Sequence, residues 1–176
     1  MMGKRSDFER VERDFYPTPY EAVLPLVDHL PQKPFSFIEP CAGDGRLVKH
    51  LNAHGGICTW ASDIEPQADF VIEADAFDVN YDEVGQYIIT NPPWNRKILH
   101  PMIEHFSSLA PTWLLFDADW MHTKQSTQYL TKLKKVVSIG RVKWIEGSNS
   151  VGKDNCCWYL FHDTKMVKPI EFWGRI

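Results

Sequence analysis

The stretch Thr90-Asn91-Pro92-Pro93-Trp94 sets the tightest limits on how this chain can fold. It follows Tyr87-Ile88-Ile89, a β-branched run of the kind that forms a buried strand. Two successive prolines fix φ and remove two amide donors, so the strand must end there. The sequence therefore predicts an amide side chain, a carbonyl and a large ring at the carboxyl end of a strand, where open α/β sheets bind ligands. Asn91 Oδ1 and the Pro92 carbonyl could accept hydrogen bonds from one –NH₂ group, although a plain Asn-Pro turn is the alternative interpretation.

A strand, a glycine turn and a helix precede this motif. Phe35-Ser36-Phe37-Ile38 is predicted as a strand that ends at Glu39-Pro40, and a helix is predicted from Leu47 to about Asn52. Between them, Gly43 and Gly45 permit positive φ and a close approach of the backbone to a ligand. The turn lacks the third glycine of the dinucleotide fingerprint and the Lys-Ser/Thr of a phosphate loop. Because Glu39 ends the strand, a positively charged ligand is favoured over a phosphate.

Acidic residues follow the next two predicted strands. Ile57–Ser62 ends in Asp63, which is placed to bind ribose hydroxyls. Phe70–Glu73 is followed by Asp75-Ala76-Phe77, where Asp75 could accept an exocyclic amine of adenine and Phe77 is expected in the core. A fifth strand, Thr112–Phe116, would bring Asp117-Ala118-Asp119-Trp120 to the same edge.

The remaining elements complete an α/β pattern. A helix is predicted up to Pro31, with Thr18 as its N-cap and Pro19 as its first residue. A second, amphipathic helix is predicted to turn Ile98, Met102, Ile103 and Phe106 inward. A third is predicted over 121–135. Strands 136–145 and 156–161 are joined by a loop too short for a helical crossover, so they should be antiparallel. We predict one domain over 1–176, with 1–13 flexible. Its fold should be three-layered and Rossmann-like, with a mostly parallel seven-stranded sheet, one antiparallel strand near the C-terminus and helices on both faces.

Charge is distributed unevenly along the chain. The net charge is −4, but residues 120–176 carry 10 Lys and Arg against 4 Asp and Glu, whereas residues 1–119 carry 9 against 19. This asymmetry suggests a surface that faces a polyanion, with the Lys132–Lys135 cluster among the candidates for phosphate contacts. No apolar run approaches the roughly 20 residues of a membrane span. No secretory signal precedes the domain, and the four cysteines lack paired zinc spacing, so a cytoplasmic protein without a metal is expected.

Together, these motifs resemble those of class I S-adenosylmethionine-dependent methyltransferases. The residues that carry the resemblance are Asp14-Phe15-Tyr16-Pro17-Thr18-Pro19, Phe37-Ile38-Glu39-Pro40-Cys41-Ala42-Gly43-Asp44-Gly45, Asp63, Asp75 and Asn91-Pro92-Pro93-Trp94. More narrowly, the chain resembles the N6-adenine DNA methyltransferases, whose signature is (Asp/Asn)-Pro-Pro-(Tyr/Phe/Trp). The resemblance implies S-adenosylmethionine as the cofactor and the N6 amine of adenine in nucleic acid as the methyl acceptor, with DNA favoured over RNA.

The same resemblance assigns roles to residues. It implies that the cofactor contacts Tyr16, Pro17, Thr18, Glu39, Ala42, Gly43, Gly45, Asp63, Ile64, Asp75, Ala76, Phe77 and Asn91. It assigns the target amine to the catalytic motif Asn91, Pro92, Pro93 and Trp94. Candidates for further contact with the nucleic acid are Trp94, Arg96, Lys97, Trp120, Lys143 and Lys153.

Three alternatives to this assignment remain open. Asn-Pro-Pro also occurs in rRNA adenine methyltransferases and in protein-glutamine N5-methyltransferases, which likewise methylate a planar –NH₂ group. A catalytically silent subunit with the same fold is the third reading. The chain leaves no room for a separate target-recognition domain, so we expect any sequence specificity to come from a homodimer or a partner protein.

Overall fold

A computed structural model describes residues 15–78, 85–165 and 168–176. Residues 1–13, which were expected to be flexible, and Asp14 lie outside the described residues. The described chain forms an eight-stranded sheet in the order β3-β2-β1-β4-β5-β7-β6-β8. The strands are β1 (Phe35–Glu39), β2 (Gly56–Asp63), β3 (Ile72–Glu73), β4 (Tyr87–Thr90), β5 (Thr112–Asp117), β6 (Leu133–Arg141), β7 (Asn155–Phe161) and β8 (Glu171–Trp173).

The pairing of the strands confirms the predicted fold class. β1 to β5 are parallel neighbours, and β7 runs antiparallel to both β5 and β6. The count of seven strands misses β8, which pairs in parallel with the outer side of β6. Because β8 is only three residues long and exposed on both faces, its sequence carries no alternating burial pattern.

Among the described residues, three α-helices cover the two faces of the sheet. They are α1 (Tyr20–Val27), α2 (Arg46–Asn52) and α3 (Arg96–Leu109). Helices α1 and α2 contribute to the core on one face, and α3 contributes to the core on the other. In α3 the inward side chains include Leu99, whereas Ile98, which was expected inside, is 40% exposed. None of the helices described is long and apolar enough to cross a membrane.

The predicted helix over 121–135 is wrong. Two 3₁₀ helices, Ala118–His122 and Lys124–Tyr129, occupy most of this segment, and β6 begins at Leu133. Thr123 interrupts the helical path because its backbone is extended and its side chain caps the second 3₁₀ helix by accepting from the Ser126 amide. Pairing with β7 then draws the following residues into the sheet. β6 therefore begins before the predicted residue 136, and it ends at Arg141, short of the predicted end at residue 145.

Candidate active site

Neighbouring strands bring three of the predicted residues to one edge of the sheet. We call it the carboxyl edge, because β1, β2, β4 and β5 all end there, and we call the opposite edge the amino edge. β1 lies between β2 and β4, so Glu39 at its end stands between Asp63 and Asn91. The Thr90 hydroxyl donates to Glu39 Oε1 at 3.4 Å and so links the ends of β4 and β1.

Glu39 is a buried carboxyl group with one unused oxygen. The residue is 1% exposed, and its Oε2 atom has no hydrogen-bond partner among the described residues. Burial raises its pKa well above the usual value, and the nearby negative charges of Asp63 and Asp44 raise it further, against the lowering effect of the Thr90 hydroxyl. A buried acceptor of this kind is stabilised by a cationic donor. The site therefore fits the ammonium group of S-adenosylmethionine.

The glycine turn has the backbone that the sequence predicted. Gly43 and Gly45 have φ of +54° and +75°. A Cβ atom on Gly43 would lie 2.5 Å from the ring of Phe15, and one on Gly45 would lie 2.0 Å from the ring of Phe70. Both positions therefore exclude a side chain on two grounds, the backbone angle and the close packing of a ring. Sequence reasoning gave neither phenylalanine a role, because their contacts with the turn are long-range.

Asp63 ties the end of β2 to this turn. Its Oδ2 accepts from the Gly43 amide at 2.8 Å, and its Oδ1 accepts from the Glu65 amide at 2.9 Å. A carboxylate offers about four acceptor positions, so two remain for the ribose hydroxyls that the sequence assigned to it. Ala42 is buried beside it, and its amide donates to the Ser62 carbonyl at 2.9 Å.

The residues predicted for the adenine end lie beyond β2 and β3. Ile64 is 61% exposed, Asp75 is exposed, and Ala76 is buried. Asp75 Oδ1 accepts from the Phe77 amide at 2.9 Å. Phe77 is 39% exposed and stacks on Phe106 of α3 at 6.4 Å between ring centroids, so it lies at the rim of the core and is not fully inside it.

Asn91 is held by the segment that precedes α1. Its Nδ2 donates to the Tyr16 carbonyl at 3.2 Å and to the Thr18 hydroxyl at 3.3 Å. Both amide hydrogens are therefore used, which fixes the side chain with Oδ1 turned the other way. The prediction of Thr18 as a helix cap is wrong: Pro19 takes the N-cap position without a side-chain bond, and the buried Thr18 hydroxyl serves Asn91 instead. Pro17 is half-buried between the two contacts.

The Pro-Pro-Trp part of the motif is anchored to β5. Pro92 is buried and Pro93 half-buried. Trp94 Nε1 donates to the Leu115 carbonyl at 3.1 Å and more weakly to Asn91 Oδ1 at 3.3 Å. These bonds set the plane of the half-buried indole next to the Asn91 amide.

Arg96 links the Asn91–Trp94 motif to Asp117 at the end of β5. Its Nη1 donates to the Trp94 carbonyl at 3.1 Å, and its Nη2 donates to both carboxylate oxygens of Asp117 at 2.7 and 2.8 Å. In this structure Arg96 fixes the loop, and its contact with the substrate stays a prediction. Lys97 is exposed, and its backbone amide donates to the Asn95 side chain, which caps α3.

Trp120 was expected at the substrate surface, and this is wrong. The first 3₁₀ helix turns it into the core, where it is 0% exposed. Its Nε1 donates to His100 Nε2 at 3.0 Å, and burial lowers the pKa of that histidine, which suits its role as a neutral acceptor. Sequence reasoning failed here because the turn after Asp117 depends on a side-chain bond to the Trp120 amide.

Trp144 is a site residue that the sequence analysis missed. It lies in the loop after β6, with its ring centroid 5.7 Å from Trp94 in an edge-to-face contact and 6.3 Å from Tyr16. The loop folds back through a 2.9 Å bond from the Gly152 amide to the Val142 carbonyl, and the indole packs against Gly152. The sequence did offer one sign of this role: Trp144 lies in a polar loop together with Lys143 and Lys153, which were predicted to contact the substrate.

The Lys132–Lys135 cluster lies far from these residues. β6 runs antiparallel to β7, which runs antiparallel to β5, so β6 begins at the amino edge. Lys132 forms ion pairs with Glu104 and Asp163, and Lys135 forms one with Glu171. The cluster therefore lies at the edge opposite the candidate site, and its contact with nucleic-acid phosphates stays a prediction.

The fold is similar to that of several solved structures that are described as methyltransferases. A candidate RNA methyltransferase from Pyrococcus horikoshii matches with a TM-score of 0.64 and 14% identity, over 89% of this chain and 90% of that one. A candidate class I S-adenosylmethionine-dependent methyltransferase from Listeria monocytogenes matches with a TM-score of 0.58 and 8% identity, over 96% and 68%. The modification subunit of a candidate type I restriction enzyme from Vibrio vulnificus matches with a TM-score of 0.61 and 10% identity, over 91% of this chain and 47% of that subunit.

The other two comparisons gave no match. No protein-family model matches this sequence, and no curated protein does. At identities of 14% or less, the structural likeness establishes the shared fold.

Proposed function

We propose that this protein is an S-adenosylmethionine-dependent methyltransferase that acts on the exocyclic N6 amine of adenine in nucleic acid, with DNA as the favoured substrate. The observation that carries the proposal is the orientation of Asn91. Because both of its amide hydrogens are bound by the Tyr16 carbonyl and the Thr18 hydroxyl, its Oδ1 is held as an acceptor at the carboxyl edge.

The buried residues of the edge would hold the cofactor. Glu39 Oε2 would accept from its ammonium group, the Gly43–Gly45 turn would lie along it, and the remaining acceptor positions of Asp63 would take the ribose hydroxyls. When bound, the cofactor supplies an electrophilic methyl group on a sulfonium centre.

Asn91 and Pro92 would prepare the acceptor amine. The amine of adenine is conjugated with its ring and is a poor nucleophile. Asn91 Oδ1 and the Pro92 carbonyl, accepting its two hydrogens, would localise the nitrogen lone pair away from the ring plane. This is positioning and electrostatic stabilisation, which needs no general base. The indole of Trp94 shares its N–H between Asn91 and Leu115, with the shorter bond to Leu115, so Asn91 Oδ1 keeps acceptor capacity for the amine.

The aromatic side chains around Asn91 fit a flat base. Trp94 and Trp144 contact each other edge to face, and Tyr16 completes the group. Stacking of a base on such rings contributes about 1–3 kcal/mol, which would offset part of the cost of turning a base out of a duplex. Two of the similar structures are named as an RNA methyltransferase and as the modification subunit of a restriction enzyme, which also supports a nucleic-acid substrate.

The test is methyl transfer with a labelled cofactor. Purified protein is incubated with methyl-labelled S-adenosylmethionine and, separately, duplex DNA, single-stranded DNA, RNA and a glutamine-containing peptide. Digestion and mass spectrometry should then find N6-methyladenine in DNA, and the Asn91→Ala variant should lose most of this product. Label in glutamine would favour the protein-glutamine reading, and label in RNA alone would reassign the substrate. Cofactor binding without transfer to any acceptor would favour a catalytically silent subunit.

A further inference from the structure

A group of four basic residues surrounds the loop that carries Trp144. They are Arg141, Lys143, Lys153 and Arg175, which we call the β6 cations. All four are exposed, and none forms an ion pair within the described ranges 15–78, 85–165 and 168–176. Glu146 and Asp154 are the acidic residues of the same loop, and Glu146 already pairs with Arg46 at 3.7 Å.

Strand pairing puts these cations at the carboxyl edge. Arg141 is the last residue of β6 and pairs with Asn155, the first residue of β7. Next to it in the ladder, Gly140 pairs with Cys156, and Cys156 pairs with Asp117 at the end of β5. The end of β6 is therefore two strands away from Asp117, which holds Arg96 and through it the loop of Trp94.

The eighth strand brings Arg175 to the same place. β8 runs parallel to β6, with Trp173 opposite Val137, so the chain after Trp173 continues towards the carboxyl edge. The Arg175 side chain lies directly against Gly140, where a Cβ atom would come within 2.8 Å of its Nη1. Gly140 has φ +72° and adjoins an irregularity in the β6–β7 ladder, so the absence of a side chain there makes room for the arginine.

Lys143 and Lys153 flank the tryptophan of the site. Lys143 precedes Trp144 in the chain, and Lys153 follows Gly152, which packs against the Trp144 indole. Two exposed lysines are therefore direct chain neighbours of Trp144, whose ring contacts Trp94, and of the glycine packed against that ring. Aromatic rings beside unpaired cations are the pattern by which proteins bind single-stranded nucleic acid, with the rings taking bases and the cations taking phosphates.

We propose that the β6 cations bind the phosphodiester backbone of the strand that carries the target adenine, and that β8 contributes to this surface through Arg175. The inference rests on the proposed function, because it names how the substrate of that same site is held. It names a different set of residues from the Lys132–Lys135 cluster, at the edge of the sheet that carries the candidate site.

The test compares two quadruple variants that remove the same charge. One replaces the β6 cations with alanine. The control replaces four cations near the amino edge that also form no ion pair among the described residues, namely Lys33, Lys134, Lys165 and Lys168. Fluorescence anisotropy measures the affinity of each protein for a labelled adenine-containing single strand and for its duplex between 50 and 200 mM salt. Circular dichroism and cofactor affinity check that both variants fold.

The expected result is a change in salt dependence in the first variant alone. Each phosphate contact contributes about 0.7 to the slope of log affinity against log salt for a single strand, so the loss of four contacts should flatten the slope by about 3. Over this fourfold salt range, wild-type affinity should fall about 50-fold more than that of the variant. Arg175→Ala alone should flatten the slope by about 0.7, and Arg175→Lys, which keeps the charge, should not.

The outcomes separate the two proposals. If wild type methylates adenine but the β6 variant keeps the wild-type slope, or the control flattens it equally, the surface is wrong and the function stands. If the salt slopes of the wild type and the β6-cation variant differ as expected but the wild type transfers no methyl group, the proposed function is wrong and the proposed binding surface stands. If wild type binds no nucleic acid at 50 mM salt, both are wrong.

Discussion

Replacing Glu39 with glutamine tests two opposite consequences of one buried carboxyl group. The residue is 1% exposed, and Oε1 has a long 3.4 Å bond from the Thr90 hydroxyl, while Oε2 has no partner among the described residues. Burial raises its pKa well above 4.5, with Asp63 and Asp44 adding to the shift. The charged form is therefore unfavourable in the folded, cofactor-free protein, and it is the form that a cationic ligand would select.

The first consequence concerns stability. Because the pKa is higher in the folded state, the folded protein binds more protons than the unfolded chain once the pH exceeds about 4.5. Stability therefore falls as the pH rises from this value towards the raised pKa. Glutamine removes this loss. Near pH 4 the two proteins should have similar stability, whereas at pH 8 Glu39→Gln should be more stable, by about 1.4 kcal/mol for each unit by which the folded-state pKa is raised, up to pH 8. For a chain of this size, that is about 2–4 °C in Tm per kcal/mol.

The second consequence concerns the cofactor, and it has the opposite sign. Glutamine has the shape of glutamate but no charge to pair with an ammonium group. Hydrogen bonds to charged groups contribute about 1.5–3 kcal/mol, so the affinity for S-adenosylmethionine should fall by about 10- to 150-fold.

Thermal unfolding at pH 4 and pH 8 and calorimetric titration with the cofactor measure both effects. Glu73→Gln, at an exposed position in β3, is the matched control and should change neither quantity. A Glu39→Gln protein that is less stable at pH 8 would show that the carboxylate has a stabilising partner. Unchanged cofactor affinity would remove Glu39 from the ligand site.

Four further substitutions test the rest of the site. Asn91→Ala should lower turnover by about 10²–10³ with cofactor affinity nearly intact, and wild-type turnover would exclude Asn91 from the mechanism. Thr18→Val should lower turnover by about 2- to 12-fold through the loss of one hydrogen bond to Asn91; added to Asn91→Ala it should cost nothing more, and a full additive loss would contradict this coupling. Asp63→Ala should weaken cofactor binding and also lower the Tm of the cofactor-free protein, since the carboxylate holds the Gly43 amide; an unchanged Tm would confine Asp63 to the ligand. Trp144→Ala should reduce kcat/KM for a nucleic-acid substrate by an amount equivalent to about 1–3 kcal/mol, and equal kcat/KM would show that Trp144 does not contact the base.

Local sequence signals predicted the fold class and the position of the main motifs. The β-branched run before Asn91, the two prolines after it and the Gly43–Gly45 turn are each decided by residues within a few positions of one another. Parallel strands with helical crossovers then place the strand ends at one edge of a sheet. This reasoning predicted the central sheet and the meeting of Glu39, Asp63 and Asn91 without knowledge of any tertiary contact.

Side-chain partners distant in sequence decided the rest. Arg96 reads in sequence as an open cation beside the motif, but it is fixed by Asp117, 21 residues away. Thr18 reads as a helix cap, but Asn91, 73 residues away, takes its hydroxyl. Short-range patterns favour the local partner in such cases, because nothing in a local window reveals which distant residue competes for the same group.

The sequence alone determined that this chain forms a mostly parallel α/β sheet with Asn91 at a strand end, because strand, turn and helix propensities act over short distances. The tertiary structure alone decided which residues can face a substrate. The direction of β6 carried Lys132 and Lys135 to the amino edge and Arg141 to the carboxyl edge. The first 3₁₀ helix buried Trp120, and the loop after β6 brought Trp144 to Trp94. Strand direction and loop docking are set by hydrogen bonds and packing between segments far apart in the chain, and these contacts exist only when the whole sheet has formed.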